Sequence, residues 1–197
     1  MGWYALFVET GREEQVKKHI HNTMDPSAVG IPFELLIAKR EVRERINDSF
    51  VTIVKRMFPG YILLETENIL DFYLKIKRKR SEHFLGILRH GGYFKEIRLE
   101  EISNIIYMTD SDGVIGSSDV FVENDRIIVT KGPLKNYDGF IKKIDRRRQR
   151  ITALFLFNGA NHYIDLSVNF IEKYDNSVSG KDIPFFANYC FQKGRDS

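Results

Sequence analysis

The segment Asn124 to Phe157, NDRIIVTKGPLKNYDGFIKKIDRRRQRITALFLF, constrains the fold of this chain more than any other. Three apolar runs, Ile127-Ile128-Val129, Phe140-Ile141 with Ile144, and Ile151 to Phe157, are separated by Lys131-Gly132-Pro133, Asn136 to Gly139 and the charged stretch Asp145 to Arg150. Runs of strand length divided by glycine and proline read as consecutive antiparallel strands joined by tight turns, and a small β-barrel is their natural container. The branched and aromatic residues of these runs, with Gly132, Pro133 and Gly139 between them, argue against a helical alternative. From Asp125 to Arg150, nine basic residues stand against three acidic ones, a net of +6 in a protein whose whole formal charge is +3.

Upstream the pattern changes. Trp3 to Val8 reads as a buried strand. Thr10 with Glu13 three residues on forms a capping-box pattern, and Val16 with Ile20 gives the apolar stripe of a helix to about His21. After a loop at Asp25-Pro26 and Gly30-Ile31-Pro32, Phe33 to Ala38 reads as a strand. Arg40 to Ile46 and Phe50 to Val54 flank Asn47-Asp48 as a projecting hairpin. Phe58-Pro59-Gly60-Tyr61 turns into the apolar strand Ile62 to Glu65. Ile69, Phe72, Tyr73 and Ile76 share a helix face, Phe84 to Leu88 reads as a strand, and Gly91-Gly92 as a turn. Leu99, Ile102, Ile105 and Ile106 predict a helix to about Met108, with Glu100 and Glu101 in its first turn. This alternation predicts an α+β layer. Thr109 to Asp119, TDSDGVIGSSD, reads as a flexible linker, so no large fixed interface is expected between the segments on its two sides.

At 197 residues the chain is long enough for one large or two small domains. It opens with no basic-then-apolar signal and has no apolar run near membrane-spanning length, so the cytoplasm is the default expectation. A single cysteine, Cys190, excludes an intramolecular disulfide, and five scattered histidines give no zinc spacing. Neither paired carboxylates, a nucleophile-base motif nor a phosphate-cradling glycine loop is present, so no catalytic chemistry, metal or cofactor is expected.

Asp125-Arg126, Gly132-Pro133, Tyr137-Asp138-Gly139 and Phe140 to Ile144 match the KOW motif, and the closing strands fit Tyr163 to Leu166 and Phe170 to Lys173. Together with the upstream Phe58-Pro59-Gly60-Tyr61, the Trp3-Tyr4 strand and the Gly11 helix entry, the chain resembles the NusG family of transcription elongation factors. The resemblance implies four divisions: a NusG amino-terminal domain over 1–108 (a mixed sheet with helices), the linker 109–119, an all-β, SH3-like KOW barrel over 120–173, and an extension 174–197 without counterpart in the family.

Composition alone reads Phe7, Tyr61, Leu63 and Phe84 as core. The resemblance instead places them along a cleft that grips the clamp helices of the largest RNA polymerase subunit. It sets the basic run Lys75, Lys77, Arg78, Lys79 and Arg80, extended by Arg40, Arg43 and Arg45, near the nontemplate DNA strand; the bland alternative is a solvated helix end. For the barrel the family offers the termination factor Rho or a ribosomal protein as partners, through a loop that commonly reads Phe-Gly-Arg. Here it reads Phe157-Asn158-Gly159-Ala160-Asn161, without the arginine. In its place stand Lys142, Lys143, Arg146, Arg147, Arg148 and Arg150, a basic hairpin suited to the phosphates of structured RNA, with Lys131 and Lys135 as further RNA-binding candidates. That combination resembles the LoaP branch of specialised, operon-specific antiterminators that recognise a leader RNA hairpin. The expected state is a monomer. An ordinary NusG coupled to Rho or the ribosome, and a KOW RNA-binding protein with no polymerase contact, remain the alternatives.

Overall fold

The computed structural model describes residues 1–24, 30–47, 49–79, 81–123 and 126–171. Expectations that fall on Asp25-Pro26, Asp48, Arg80, Asp125, Glu172-Lys173 and the extension 174–197 with Cys190 lie outside the described residues.

The first half is built on β1 (Gly2–Val8), which pairs antiparallel with β5 (Tyr61–Thr66) on one side and with β6 (Phe84–Ile87) on the other; β2 (Phe33–Leu36) extends the sheet beyond β5. A small hairpin of β7 (Arg89–His90) and β8 (Tyr93–Phe94) turns at Gly91-Gly92, and β9 (Glu96–Ile97) then pairs with Trp3 and Tyr4 of β1. The strands are apolar on both faces because both are covered. Leu6, Val8, Ile62 and Leu64 point to α1 (Glu13–Thr23) and α2 (Ile69–Arg78), where Val16, Ile20, Phe72 and Ile76 complete one core. Ala5 and Leu63 point the other way, towards Ile102 and Ile105 of α3 (Leu99–Met108). α2 begins at Asn68, whose side chain accepts the Asp71 N–H as a cap.

The anticipated capping box on α1 does not form. Arg12 is the N-cap, without a side-chain cap, and Glu13 has another task. Its fully buried carboxylate accepts the Gly60 N–H at 2.8 Å and pairs with Arg56 at 2.8 Å, tying the helix to the Phe58-Pro59-Gly60-Tyr61 turn. Burial pushes the Glu13 pKa up, but backbone N–H groups of Gly60, Glu13 and Gly11, with Arg56 nearby, bring it below its ordinary value. With the folded pKa lower than the unfolded one, this carboxylate stabilises the fold above the unfolded pKa, and the contribution is lost as pH falls through the folded pKa. Glu13→Gln is therefore expected to cost about 1.5–3 kcal/mol at neutral pH and to flatten the loss of stability on acidification, measured by urea unfolding at several pH values. An unchanged pH profile in the variant would contradict this role for Glu13.

β3 (Lys39–Ile46) and β4 (Ser49–Arg56) form the expected ribbon, in register from Lys39↔Arg56 to Ile46↔Ser49. The predicted loose linker is instead shaped. The Asp110 side chain accepts the Asp112 and Val114 N–H groups, and β10 (Val114–Ile115) pairs in parallel with Lys39 and Arg40 of β3. Gly113 sits at φ +74°, where a Cβ would lie 2.8 Å from the Ile37 carbonyl oxygen, and Ile115 is fully buried. The Gly, Asp and Ser content that suggested flexibility supplies a turn, and the two branched residues behind it supply the anchor.

The second half is a five-stranded sheet in the order β12 (Arg126–Lys131), β11 (Ser118–Glu123), β15 (Ala160–Phe170), β14 (Arg150–Phe157), β13 (Ile141–Asp145). The connection 132–140 runs from one edge to the other and buries Leu134, whose N–H is accepted by Ser118 Oγ at 3.1 Å, so the sheet is curled into a barrel. The first predicted closing strand, Tyr163 to Leu166, lies within β15, which runs on to Phe170, the first residue of the second. Neither glycine nor proline interrupts Ser167-Val168-Asn169, and β15 passes from antiparallel pairing with β14, ending at Ser167, to parallel pairing with β11, beginning at Val168. Val120, Ile151, Phe155, Ile164 and Leu166 fill the barrel, and this core is continuous with Leu63, Ile102 and Ile105 of the first half. A single apolar cluster thus spans the two predicted domains.

Candidate functional site

Strand alternation puts Phe7 of β1 and Tyr61 of β5 opposite one another on the face of the first sheet turned away from α1 and α2, with ring centroids 5.6 Å apart. Phe7 is 41% exposed, an unusual position for a phenylalanine in the middle of a sheet, and Tyr61 is half-buried. Leu63, two residues on, shares this face but is buried in the cluster that joins the two halves. Phe84 does not join them. The register between β1 and β6 shifts between Phe7 and Val8, so Phe84 pairs with Val8 and packs into the core beneath the helices. The extra residue of that bulge, Leu85, is 61% exposed.

The basic hairpin is formed by β13 and β14. Arg146, Arg147 and Arg148 occupy the turn between them, all exposed, and the Asp145 carboxylate accepts the Arg148 N–H at 2.9 Å to fix its shape. Alternation would turn Lys142 and Lys143 to opposite faces, but the β13 register shifts between Ile141 and Lys143, and both are exposed. Lys131 and Lys135, flanking the Gly132 turn, are exposed as well.

Arg150 is different. As the first residue of β14 it turns back to the ribbon: its Nε donates to the Arg43 carbonyl oxygen at 2.8 Å, its Nη2 donates to the same oxygen, and Glu44 lies 3.9 Å away. Arg43, in turn, donates to Gln149 Oε1 and to Asn169 Oδ1. Arg40 stands at the same seam, where burial lowers its pKa, Asp165 opposes that shift and Arg150 adds to it. Of the three β3 arginines expected near DNA, Arg40 and Arg43 therefore face the barrel, while Arg45 is exposed. Of the basic run on α2 and its C-cap, Lys77, Arg78 and the capping Lys79 are exposed, Lys77 lying 5.8 Å from the Tyr73 ring, while Lys75 is half-buried.

The other end of the seam is aromatic. Phe157, 1% exposed, stacks on Phe58 with centroids 4.2 Å apart and presents its edge to Tyr61 at 5.6 Å; His162 meets Phe58 edge-on at 5.3 Å. Asn158 and Gly159, both at positive φ, make the two-residue turn between β14 and β15. That turn docks on the first half, with Lys95 Nζ donating to Asn158 Oδ1 at 2.6 Å and the Gly159 N–H to Glu101 Oε2 at 3.3 Å. Phe58 and Phe157 belong to sequence motifs, yet the sequence does not mark either as a site residue. The Asn-Gly dipeptide between alternating apolar residues is the available signal for the turn; nothing local signals its docking. Among the described residues no cluster of metal-ligating side chains is present, and no helix is long and apolar enough to cross a membrane.

Comparison with known proteins places these features in a family. The family model "Transcription termination factor nusG" matches residues 1–106, more than half of the chain. Among curated proteins, the Transcription termination/antitermination protein NusG of Rickettsia typhi is 25% identical over 175 residues, covering 88% of this chain and 90% of that protein. Its Staphylococcus aureus counterpart is 23% identical over 175 residues, covering 87% and 94%. A solved structure described as "Domain interaction in Thermotoga maritima NusG" superposes with a TM-score of 0.50 at 19% identity, covering 84% of this chain and 93% of that one, a likeness of fold.

Proposed function

We propose, from the premise that this chain belongs to the NusG family of transcription factors, that it is a processive antitermination factor of the LoaP kind, holding RNA polymerase with its first domain and a leader RNA hairpin with its basic barrel. The observation that carries this reading is the turn Arg146-Arg147-Arg148, three exposed arginines on a backbone shaped by the Asp145 carboxylate and flanked by exposed Lys142 and Lys143. Such a cluster is self-repelling until phosphates neutralise it, and its counterion release supplies the driving force for binding RNA. Exposed Phe7 and half-buried Tyr61 supply the apolar anchor for the polymerase clamp helices, with Leu63 and Phe58 behind them. Lys77, Arg78 and Lys79, at the end of α2, are the cationic flank for nontemplate DNA. The factor slows termination by binding the elongating form of polymerase better than the paused one, a population shift set by differential affinity.

In the closed arrangement Phe58 and Tyr61 are covered by Phe157, so engagement of polymerase requires the barrel to leave the first domain. The reading as an ordinary NusG is disfavoured by the loop Phe157 to Asn161, which has no arginine for the family's usual contact. The deciding experiment is an in vitro termination assay on templates with and without a leader hairpin. Readthrough that rises severalfold only on the hairpin template supports the proposal; Rho-dependent termination enhanced on both templates supports the ordinary factor.

A further inference from the structure

The seam between barrel and ribbon and the proposed RNA surface share one residue. Arg150 lies two positions beyond the exposed Arg148, yet its guanidinium is spent on a neutral acceptor, the Arg43 carbonyl, with Glu44 beside it. Arg43 is likewise committed to two neutral amides, Gln149 and Asn169, the first inside the basic turn itself. Arg40 completes a group of three arginines at the seam, its buried Nε without a hydrogen-bond partner.

We propose that structured RNA bound by the 145–150 turn releases the barrel from the first domain, with Arg150 exchanging the Arg43 carbonyl for an RNA phosphate. The inference rests on the RNA reading above and adds the identity of the releasing ligand. The exchange is favourable because a phosphate adds a full opposite charge and two oxygens that a guanidinium can meet bidentately, where the Arg43 carbonyl offers one neutral oxygen. It is incompatible with the closed seam for two reasons. Glu44, held by Lys55 and near Arg150, sets a carboxylate where the phosphate would arrive. Arg43 Nη1 and Nη2 already donate to Gln149 and Asn169, so turning Arg43 to the phosphate breaks bonds that hold the barrel to β3. Once Gln149 and Arg150 leave β3, the closed state loses the polar end of its seam and is held by Arg43 on Asn169, by the apolar cluster around Ile102 and Ile105, by the stack of Phe58 on Phe157 and by the Lys95 and Glu101 contacts to the Asn158-Gly159 turn. RNA bound at one end of the seam thereby uncovers Tyr61 at the other.

Linkage makes the proposal testable from the far end, since whatever opens the seam must tighten RNA binding by the same factor by which RNA opens it. Lys95→Ala with Glu101→Gln loosens the docked turn without touching the basic hairpin, and Phe58→Ala is a second opened variant. Binding of a fully paired RNA hairpin of generic sequence to the full chain is measured at low salt, together with hydrogen exchange across 157–161. The opened variants are expected to bind on the order of tenfold more tightly than the wild type, and RNA is expected to speed exchange at 157–161 in the wild type. Equal affinity in variants whose exchange shows an open seam overturns the coupling alone. Weaker binding by the variants means that RNA bridges both domains, and also overturns it. Absence of RNA binding by every protein overturns the RNA reading and the coupling with it.

Discussion

Changing Arg146, Arg147 and Arg148 together to alanine is expected to weaken binding to a paired RNA hairpin by roughly 10²- to 10³-fold near 0.1 M salt. Lys142, Lys143 and the three turn arginines are exposed at once, whereas Arg150 is held by Arg43. About four simultaneous phosphate contacts, at a slope near 0.9 per neutralised phosphate on duplex DNA, make log affinity fall by roughly 3 to 4 units per tenfold rise in salt. Removing three of the charges flattens that slope by about 2 to 3 units. The barrel should stay folded, because none of the three side chains is part of its core. Fluorescence anisotropy across a salt series, with circular dichroism as control, measures both quantities. A variant that keeps affinity and slope would make the turn a solvated face and remove the observation on which the antitermination reading rests.

Phe7→Ala combined with Tyr61→Ala should abolish association with RNA polymerase while leaving RNA binding no weaker. Two aromatic anchors at about 2 kcal/mol or more each amount to roughly a thousandfold in affinity. Tyr61 also meets Phe157, so the double variant loosens the closed seam, which by itself would favour polymerase access. A net loss of binding therefore identifies the anchor role as dominant. Phe84→Ala is the matched contrast: its ring packs beneath the helices, so it should lower stability and spare polymerase binding. Co-purification with polymerase and thermal unfolding separate the two, and polymerase binding retained by the folded Phe7 and Tyr61 double variant would return this face to a structural role.

Local pattern alone determined much of this protein. The spacing of Leu99, Ile102, Ile105 and Ile106 yields a helix whose bounds, Leu99–Met108, match the expectation, because an amphipathic stripe with acidic residues in its first turn is a nearest-neighbour property. The branched runs from Ile127 to Phe157 became strands for the same reason, apart from Phe140, which with Gly139 belongs to a single 3-10 turn, Asp138–Phe140. Periodicity reports which face of an element is apolar, however, and not what covers it. β1 and β5 are apolar on both faces, and only the tertiary structure decided that α1 and α2 cover one while α3 and the barrel cover the other. A one-residue register shift beside Phe7 moved Phe84 to the opposite face from Tyr61. Glu13, Arg40, Arg43 and Arg150 carry charge patterns that look like a cap or a nucleic-acid surface. Their burial against the Gly60 turn and the domain seam depends on segments 47 and more than 100 residues away, beyond the reach of any local signal.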